Sequence, residues 1–209
     1  PASVARRASA KIAVMTSNSL QHFVRVYDGD LDVSLSSRMV ESFHALQKFQ
    51  MANGRGVRAG LEQSAWTELN VTRLSDAGFL GMFRRRIELA LARYNADVGL
   101  TIPIPDSHVH ADLILKRYRP GLAEGFQLHF DSINHVANRY LVLLWYLNDV
   151  AEGGETRFPQ LDLNVKPKAG RLLMFPPFWM YQHEGVPPVS GDKYILSTYL
   201  LFTDPATPG

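Results

Sequence analysis

The chain has 209 residues, 46% of them hydrophobic, with 22 Lys and Arg against 20 Asp and Glu, which fits one soluble domain with a substantial core. It contains no cysteine, so disulfides, thiolate metal sites and cysteine nucleophiles are excluded together. No apolar run approaches the roughly 20 residues of a membrane span, and the basic residues are scattered, so neither a membrane nor a nucleic acid is an expected partner.

The opening stretch, PASVARRASAKIAVMTSNSL, is rich in Ala, Ser and Arg and carries no acid. Residues 1–20 are therefore expected to be an N-terminal extension, either a targeting segment or a disordered tag ahead of Met15. The absence of cysteine allows a reducing interior, and a cytoplasmic location is the expectation. Residues 21–209 are expected to form a single domain, with helical support over 21–108 and a catalytic core over 109–203.

HFVRVY, from His22 to Tyr27, alternates as a strand does. Residues 34–49 carry Leu35, Met39, Val40, Phe43 and Leu46 at helical spacing, with Asp32 or Ser34 as N-cap. NGRGVRAG, residues 53–60, reads as a loop and SAWTELNV as a strand. A second helix starts at Ser75 or Asp76 and carries Phe79, Leu80, Phe83, Ile87, Leu91 and Tyr94, with Arg84, Arg85 and Arg86 on its solvated face.

Beyond residue 109 the pattern changes to short β-branched and aromatic runs broken by Gly, Pro and Asp. ADLILKRY, GFQLHF, RYLVLLWYL, TRF, LNVKP, RLLMF, MYQHEG and KYILSTYLLF predict about eight strands. Such a series predicts an α+β protein whose core is a double-stranded β-helix, or jelly roll, with the N-terminal helices packed on one sheet.

The chemistry starts from LHFDS. Alternation puts His129 and Asp131 on one strand face, where an imidazole and a carboxylate can reach one point. Among the seven histidines, His183 in MYQHEG lies on a late strand, and in a jelly roll a late strand returns beside an early one. Two histidines and a carboxylate form the facial triad of non-heme Fe(II) oxygenases, which leaves open positions for a cosubstrate and O2. The rival is HVHAD, in which His108, His110 and Asp112 alternate onto one face. Ten residues after His183 stands Lys193; directed into the same barrel, its ammonium requires an anion, and the free end of an iron-bound dicarboxylate supplies one.

The ordered set HFD, WYLND, GGETRFP, VKPKAGRLLMF and HEGVPPVSGDKY, preceded by KRYRPG, resembles the 2-oxoglutarate- and Fe(II)-dependent dioxygenases of the prolyl 4-hydroxylase-like branch over residues 112–202. The resemblance implies iron at His129, Asp131 and His183. It implies 2-oxoglutarate contacts at Lys193, Tyr118 and Thr156, with O2 as oxidant and ascorbate as support for activity. Many relatives have arginine where Lys193 stands, and Trp145 occupies the strand in which some have tyrosine. Arg139, Arg157, Trp145 and Tyr181 are the candidate substrate residues, with the FPPFWMY cluster and the loops 53–60 and 132–138 near the entrance. The implied reaction hydroxylates an unactivated C–H bond while 2-oxoglutarate is converted to succinate and CO2. A prolyl residue in a peptide or protein is the leading substrate; a free amino acid or other small molecule, and a metal-binding sensor without turnover, are the alternatives.

Overall fold

The computed structural model describes residues 20–106 and 109–202. The expected N-terminal extension up to residue 19 and His108 lie outside the described residues. Within them, the segments expected as strands after residue 109 all form: β4 (Ile114–Tyr118), β5 (Phe126–His129), β6 (Arg139–Tyr146), β7 (Thr156–Phe158), β8 (Leu163–Val165), β9 (Leu172–Phe175), β10 (His183–Gly185) and β11 (Lys193–Leu201). Three earlier strands join them, β1 (Arg25–Tyr27), β2 (Met51–Gly54) and β3 (Ala65–Asn70).

The larger sheet has the order β1-β9-β6-β11-β4-β3-β2 and the smaller one β5-β10-β7-β8, with every pairing antiparallel. Helices α1 (Val33–Ala45) and α3 (Ala77–Val98) cover the outer face of the larger sheet. The short α2 (Val71–Leu74) joins β3 to α3. Because the central strands are covered on both faces, β6 and β9 read as continuous apolar runs, RYLVLLWY and LLMF. Alternation sorts their side chains. Leu141, Leu143 and Trp145 pack toward the helices, whereas Val142, Leu144 and Tyr146 face the gap between the sheets.

Helix α3 presents Phe83, Ile87, Ala90, Leu91, Tyr94 and Val98 to the sheet at three- and four-residue spacing. Asp76 caps it by accepting from the Phe79 N–H at 2.8 Å, and Gly99 ends it in the left-handed region.

Several local expectations are corrected. HFVRVY is only half strand, since Leu20–Phe23 form a 3-10 turn before β1. The helix over 34–49 stops at Ala45 and yields to a second 3-10 turn at Gln47–Phe49, and Asp32 at its cap position makes no side-chain capping bond. Asn53 and Gly54 of the expected loop belong to β2, paired with Trp66 and Ala65. Arg86 is only partly exposed. It donates to the Asp30 carbonyl and lies 3.7 Å from the Asp30 carboxylate.

Phe83 is completely buried and meets Trp145 edge to face at a ring separation of 5.7 Å, joining α3 to the sheet centre. Phe83→Ala is expected to cost about 3–5 kcal/mol in denaturant unfolding. A loss below about 1 kcal/mol would mean that the helix layer does not depend on this contact.

Candidate active site

His129 ends β5 and His183 begins β10, and the two are direct cross-strand partners. Their rings lie 4.3 Å apart. Asp131 follows β5 in a loop anchored to FPPF, because the Pro177 carbonyl accepts from the N–H groups of both Asp131 and Ser132 at 3.0 Å. The carboxylate faces both rings: Oδ1 lies 3.5 Å from His129 Nε2, and Oδ2 lies 3.5 Å from His183 Nε2.

Each imidazole is fixed by the carbonyl two residues earlier. His129 Nδ1 lies 2.8 Å from the Gln127 oxygen, and His183 Nδ1 lies 3.1 Å from the Tyr181 oxygen. A carbonyl oxygen only accepts, so both Nδ1 atoms carry the ring proton and both Nε2 atoms keep their lone pairs. Burial first, and then the neighbouring His129, push the His183 pKa down to about 4, against the opposing pull of Asp131. For Asp131, burial raises the pKa. Its contact with His129, the charges of His183 and His129, and the Tyr199 hydroxyl outweigh that and hold it well below the usual carboxylate range. Oδ1 accepts from Tyr199 Oη at 2.9 Å, while Oδ2 is buried with no hydrogen-bond partner.

One ionised carboxylate and two nitrogen lone pairs therefore converge with one oxygen unsatisfied. Among the described residues this is the one group of three His or acidic side chains able to hold a metal ion, its ligand atoms all within 4.8 Å of one another. The donor set fits iron, and it offers no thiolate of the kind that closes structural zinc sites.

The triad opens into a cavity of about 490 Å³ between the sheets. Its walls follow the alternation of the strands: Trp66, Glu68 and Asn70 from β3, Ile114, Lys116 and Tyr118 from β4, and Lys193, Ile195, Ser197 and Tyr199 from β11. At one end Lys193 is 2% exposed, its Nζ 5.2 Å from the Tyr118 ring and 5.7 Å from the Tyr146 ring. Lys193 forms no ion pair with any described residue, and burial pushes its pKa down from 10.5 to about 7, with Glu155 pulling back upward. Beside it the Tyr146 hydroxyl donates to Thr156 Oγ1 at 2.7 Å.

Tyr118, Thr156, Lys193 and Arg139 thus line one cavity with the triad. Three other expected substrate residues do not. Trp145 points to the opposite face, donating from Nε1 to Asp30 at 2.7 Å, because its strand parity is that of the helix-facing set. Arg157 is exposed on the outside of β7 and pairs with Glu184 at 3.1 Å. Tyr181 is buried in the packing between the sheets, and Trp179 is 64% exposed. The rival motif also separates: Asp112 accepts from Asn70 at 2.7 Å, His110 bonds the Ala111 carbonyl, and neither belongs to a metal-holding group among the described residues. Sequence reasoning missed Tyr146, Tyr199 and Lys116. Counting by twos from Lys193 reaches Tyr199, and from Tyr118 reaches Lys116.

Residues 113–201 match the family model of the 2OG-Fe(II) oxygenase superfamily. The matched stretch takes in Tyr118, His129, Asp131, His183 and Lys193. A protein of Acanthamoeba polyphaga mimivirus that bears a prolyl 4-hydroxylase name is 32% identical over 107 residues, which cover 42% of this chain and 43% of that protein. The chain spans less than half the length of the curated relatives it matches. The fold is that of the viral collagen prolyl hydroxylase of Paramecium bursaria Chlorella virus-1, solved with 2OG, at a TM-score of 0.60 and 19% identity over 87% of this chain and 97% of that one. It is equally that of a Trichoplax adhaerens prolyl hydroxylase solved with a hypoxia inducible factor peptide, at a TM-score of 0.66 and 19% identity, covering 86% and 84% of the two chains. Both are double-stranded β-helix enzymes.

The buried lysine has a consequence for stability that is independent of any ligand. Between pH 7 and 10.5 the unfolded chain holds a proton on Lys193 that the folded chain resists, so the burden of this lysine is complete below pH 7 and disappears as pH rises through 10.5. Lys193→Met is expected to stabilise the ligand-free protein by a few kcal/mol at pH 7, with the gain shrinking toward pH 10. Thermal unfolding across that range checks this, and a variant less stable than the parent at pH 7 would contradict it.

Proposed function

We propose that this chain is an Fe(II)- and 2-oxoglutarate-dependent dioxygenase that hydroxylates an unactivated C–H bond, with a prolyl residue of a peptide or protein as the substrate. The observation that carries the proposal is the convergence of two fixed Nε2 lone pairs on a buried carboxylate with an unsatisfied oxygen. His129, Asp131 and His183 would hold the iron. Lys193, with Tyr118 and the Tyr146–Thr156 pair beside it, would receive the far carboxylate of 2-oxoglutarate. With the cosubstrate and O2, bound iron supplies the oxidant for C–H hydroxylation, the 2-oxoglutarate leaving as succinate and CO2.

The chain's own residues do the rest. The Gln127 and Tyr181 carbonyls keep the ring protons away from the metal side, and Tyr199 orients Asp131 through Oδ1. Val142, Leu144, Phe175 and Ile195 give the cavity apolar walls that limit water near the reacting centre. The prolyl assignment draws on relatives named for that activity and on the peptide bound by the Trichoplax enzyme.

Succinate formation from 2-oxoglutarate under air, with Fe(II) and ascorbate, tests the reading directly. Asp131→Ala is expected to abolish turnover and Fe(II) binding while the chain stays folded, and full activity in that variant would remove the triad from the mechanism. Lys193→Ala is expected to raise the 2-oxoglutarate requirement about ten- to hundredfold. A proline-rich peptide is expected to accelerate turnover. Turnover indifferent to every such peptide would exclude the prolyl assignment while leaving the oxygenase.

A further inference from the structure

We infer that the substrate side of the cavity is a carboxylate receptor built around Lys116, so that the carbon to be hydroxylated lies close to a carboxylate of its own molecule. The inference rests on the oxygenase reading above and adds the chemical class of its substrate.

Lys116 stands two residues before Tyr118 on β4 and shares its inward face, opposite Ile195 on β11 and Glu68 on β3. Its Nζ lies 5.6 Å from the Trp66 ring and 5.7 Å from the Phe126 ring. Phe126 in turn stacks on His129 at 4.0 Å, so the ammonium is one ring away from the triad. Aromatic faces attract this cation but do not neutralise it. Lys116 forms no salt bridge among the described residues, and the Oε2 of its cross-strand partner Glu68 accepts from the Trp66 indole N–H at 2.6 Å.

The surroundings have the same sign. Arg139 lies beside Asp131, its guanidinium 3.8 Å above the Tyr199 ring and its Nη1 donating to the Asp131 carbonyl at 3.4 Å. Arg58 and Arg73 line the outer part of the same cavity, and Arg73 is the one already facing an acid, Asp112 at 3.9 Å. Apart from Asp131 and Lys193, then, the charged lining is Lys116, Arg139, Arg58 and Arg73 against Glu68 alone. Lys116 is half-buried, and its partial burial lowers its proton affinity, which Glu68 and Asp131 offset only in part. A neutral substrate would leave the ammonium against an aromatic wall without a counterion, whereas a carboxylate would satisfy it. Lys193 already occupies the end of the cavity beside Tyr146 and Thr156, so the cosubstrate does not need the second lysine.

The test is binding to the full chain loaded with Zn(II) and 2-oxoglutarate, which does not turn over, followed by calorimetry or by the fluorescence of the tryptophans. The probes are two proline peptides identical except for Glu or Gln beside the proline, and L-proline against L-prolinamide. The carboxylate member of one pair is expected to bind roughly tenfold more tightly. A preference within the peptide pair assigns the carboxylate to a neighbouring side chain, and one within the amino-acid pair assigns it to a free acid. Lys116→Met is expected to erase the preference and Lys116→Arg to retain most of it, which separates lost charge from lost fold. No preference in either pair, including failure of all four probes to bind, would overturn the inference, as would a preference that survives Lys116→Met. Weakened 2-oxoglutarate binding in Lys116→Met with unchanged probe binding would overturn it too, by giving Lys116 to the cosubstrate. Because the readout is binding, a preserved preference in a chain that forms no succinate would count against the oxygenase reading alone.

Discussion

The site depends on two hydrogen bonds that involve none of its open valences: those from the Nδ1 atoms of His129 and His183 to the carbonyls of Gln127 and Tyr181. Each bond fixes a tautomer and a ring orientation, and together they turn two lone pairs toward Asp131. The antiparallel register of β5 and β10 then sets the distance between the rings, and the Pro177 carbonyl sets the carboxylate by holding its backbone. Three short-range constraints, each from a different segment, meet in one point. Without a cation, the result is a buried carboxylate oxygen with nothing to accept from, a costly arrangement that a protein keeps only where something else completes it.

The larger sheet places the rest. Its central strands are buried on both faces, so the helix layer locks one face while the other is free to be shaped as a cavity wall. Charged and polar groups on that wall are few: Lys193 and Ser197 on β11, Lys116 on β4, Glu68 and Asn70 on β3, and Arg139 on β6. This spacing keeps Lys193, which faces the proposed cosubstrate, apart from Lys116 on the neighbouring strand. Both ammonium groups lack an ion-pair partner among the described residues, Lys193 fully buried and Lys116 half-buried.

Much of this was legible in the sequence, and the failures have a physical pattern. The eight C-terminal strands were readable because Gly, Pro and Asp punctuate them, and HFD with His183 and Lys193 was readable because, in order with KRYRPG and GGETRFP, they resemble the motifs of a known family. Trp145 was misjudged for the opposite reason. In RYLVLLWY both faces are apolar, so no alternation remains to tell which of the adjacent aromatics points inward, and only the pairing with β11 shows that Tyr146 does. Lys116 was hidden in KRY, where three consecutive polar-tipped residues look like a solvated edge. The sheet membership of β1 and β3 depends on pairings with β9 and β4, tens of residues away, and local propensity carries no record of such partners.

The most direct test of the central geometry is the nitrogen NMR spectrum of the histidine side chains, recorded with and without Zn(II) as a diamagnetic occupant. The account predicts that His129 and His183 are both protonated at Nδ1 before metal is added, and that both Nε2 resonances shift on its addition while those of His22 and His44 do not. Nε2-protonated rings, or Nε2 resonances that ignore the metal, would contradict it.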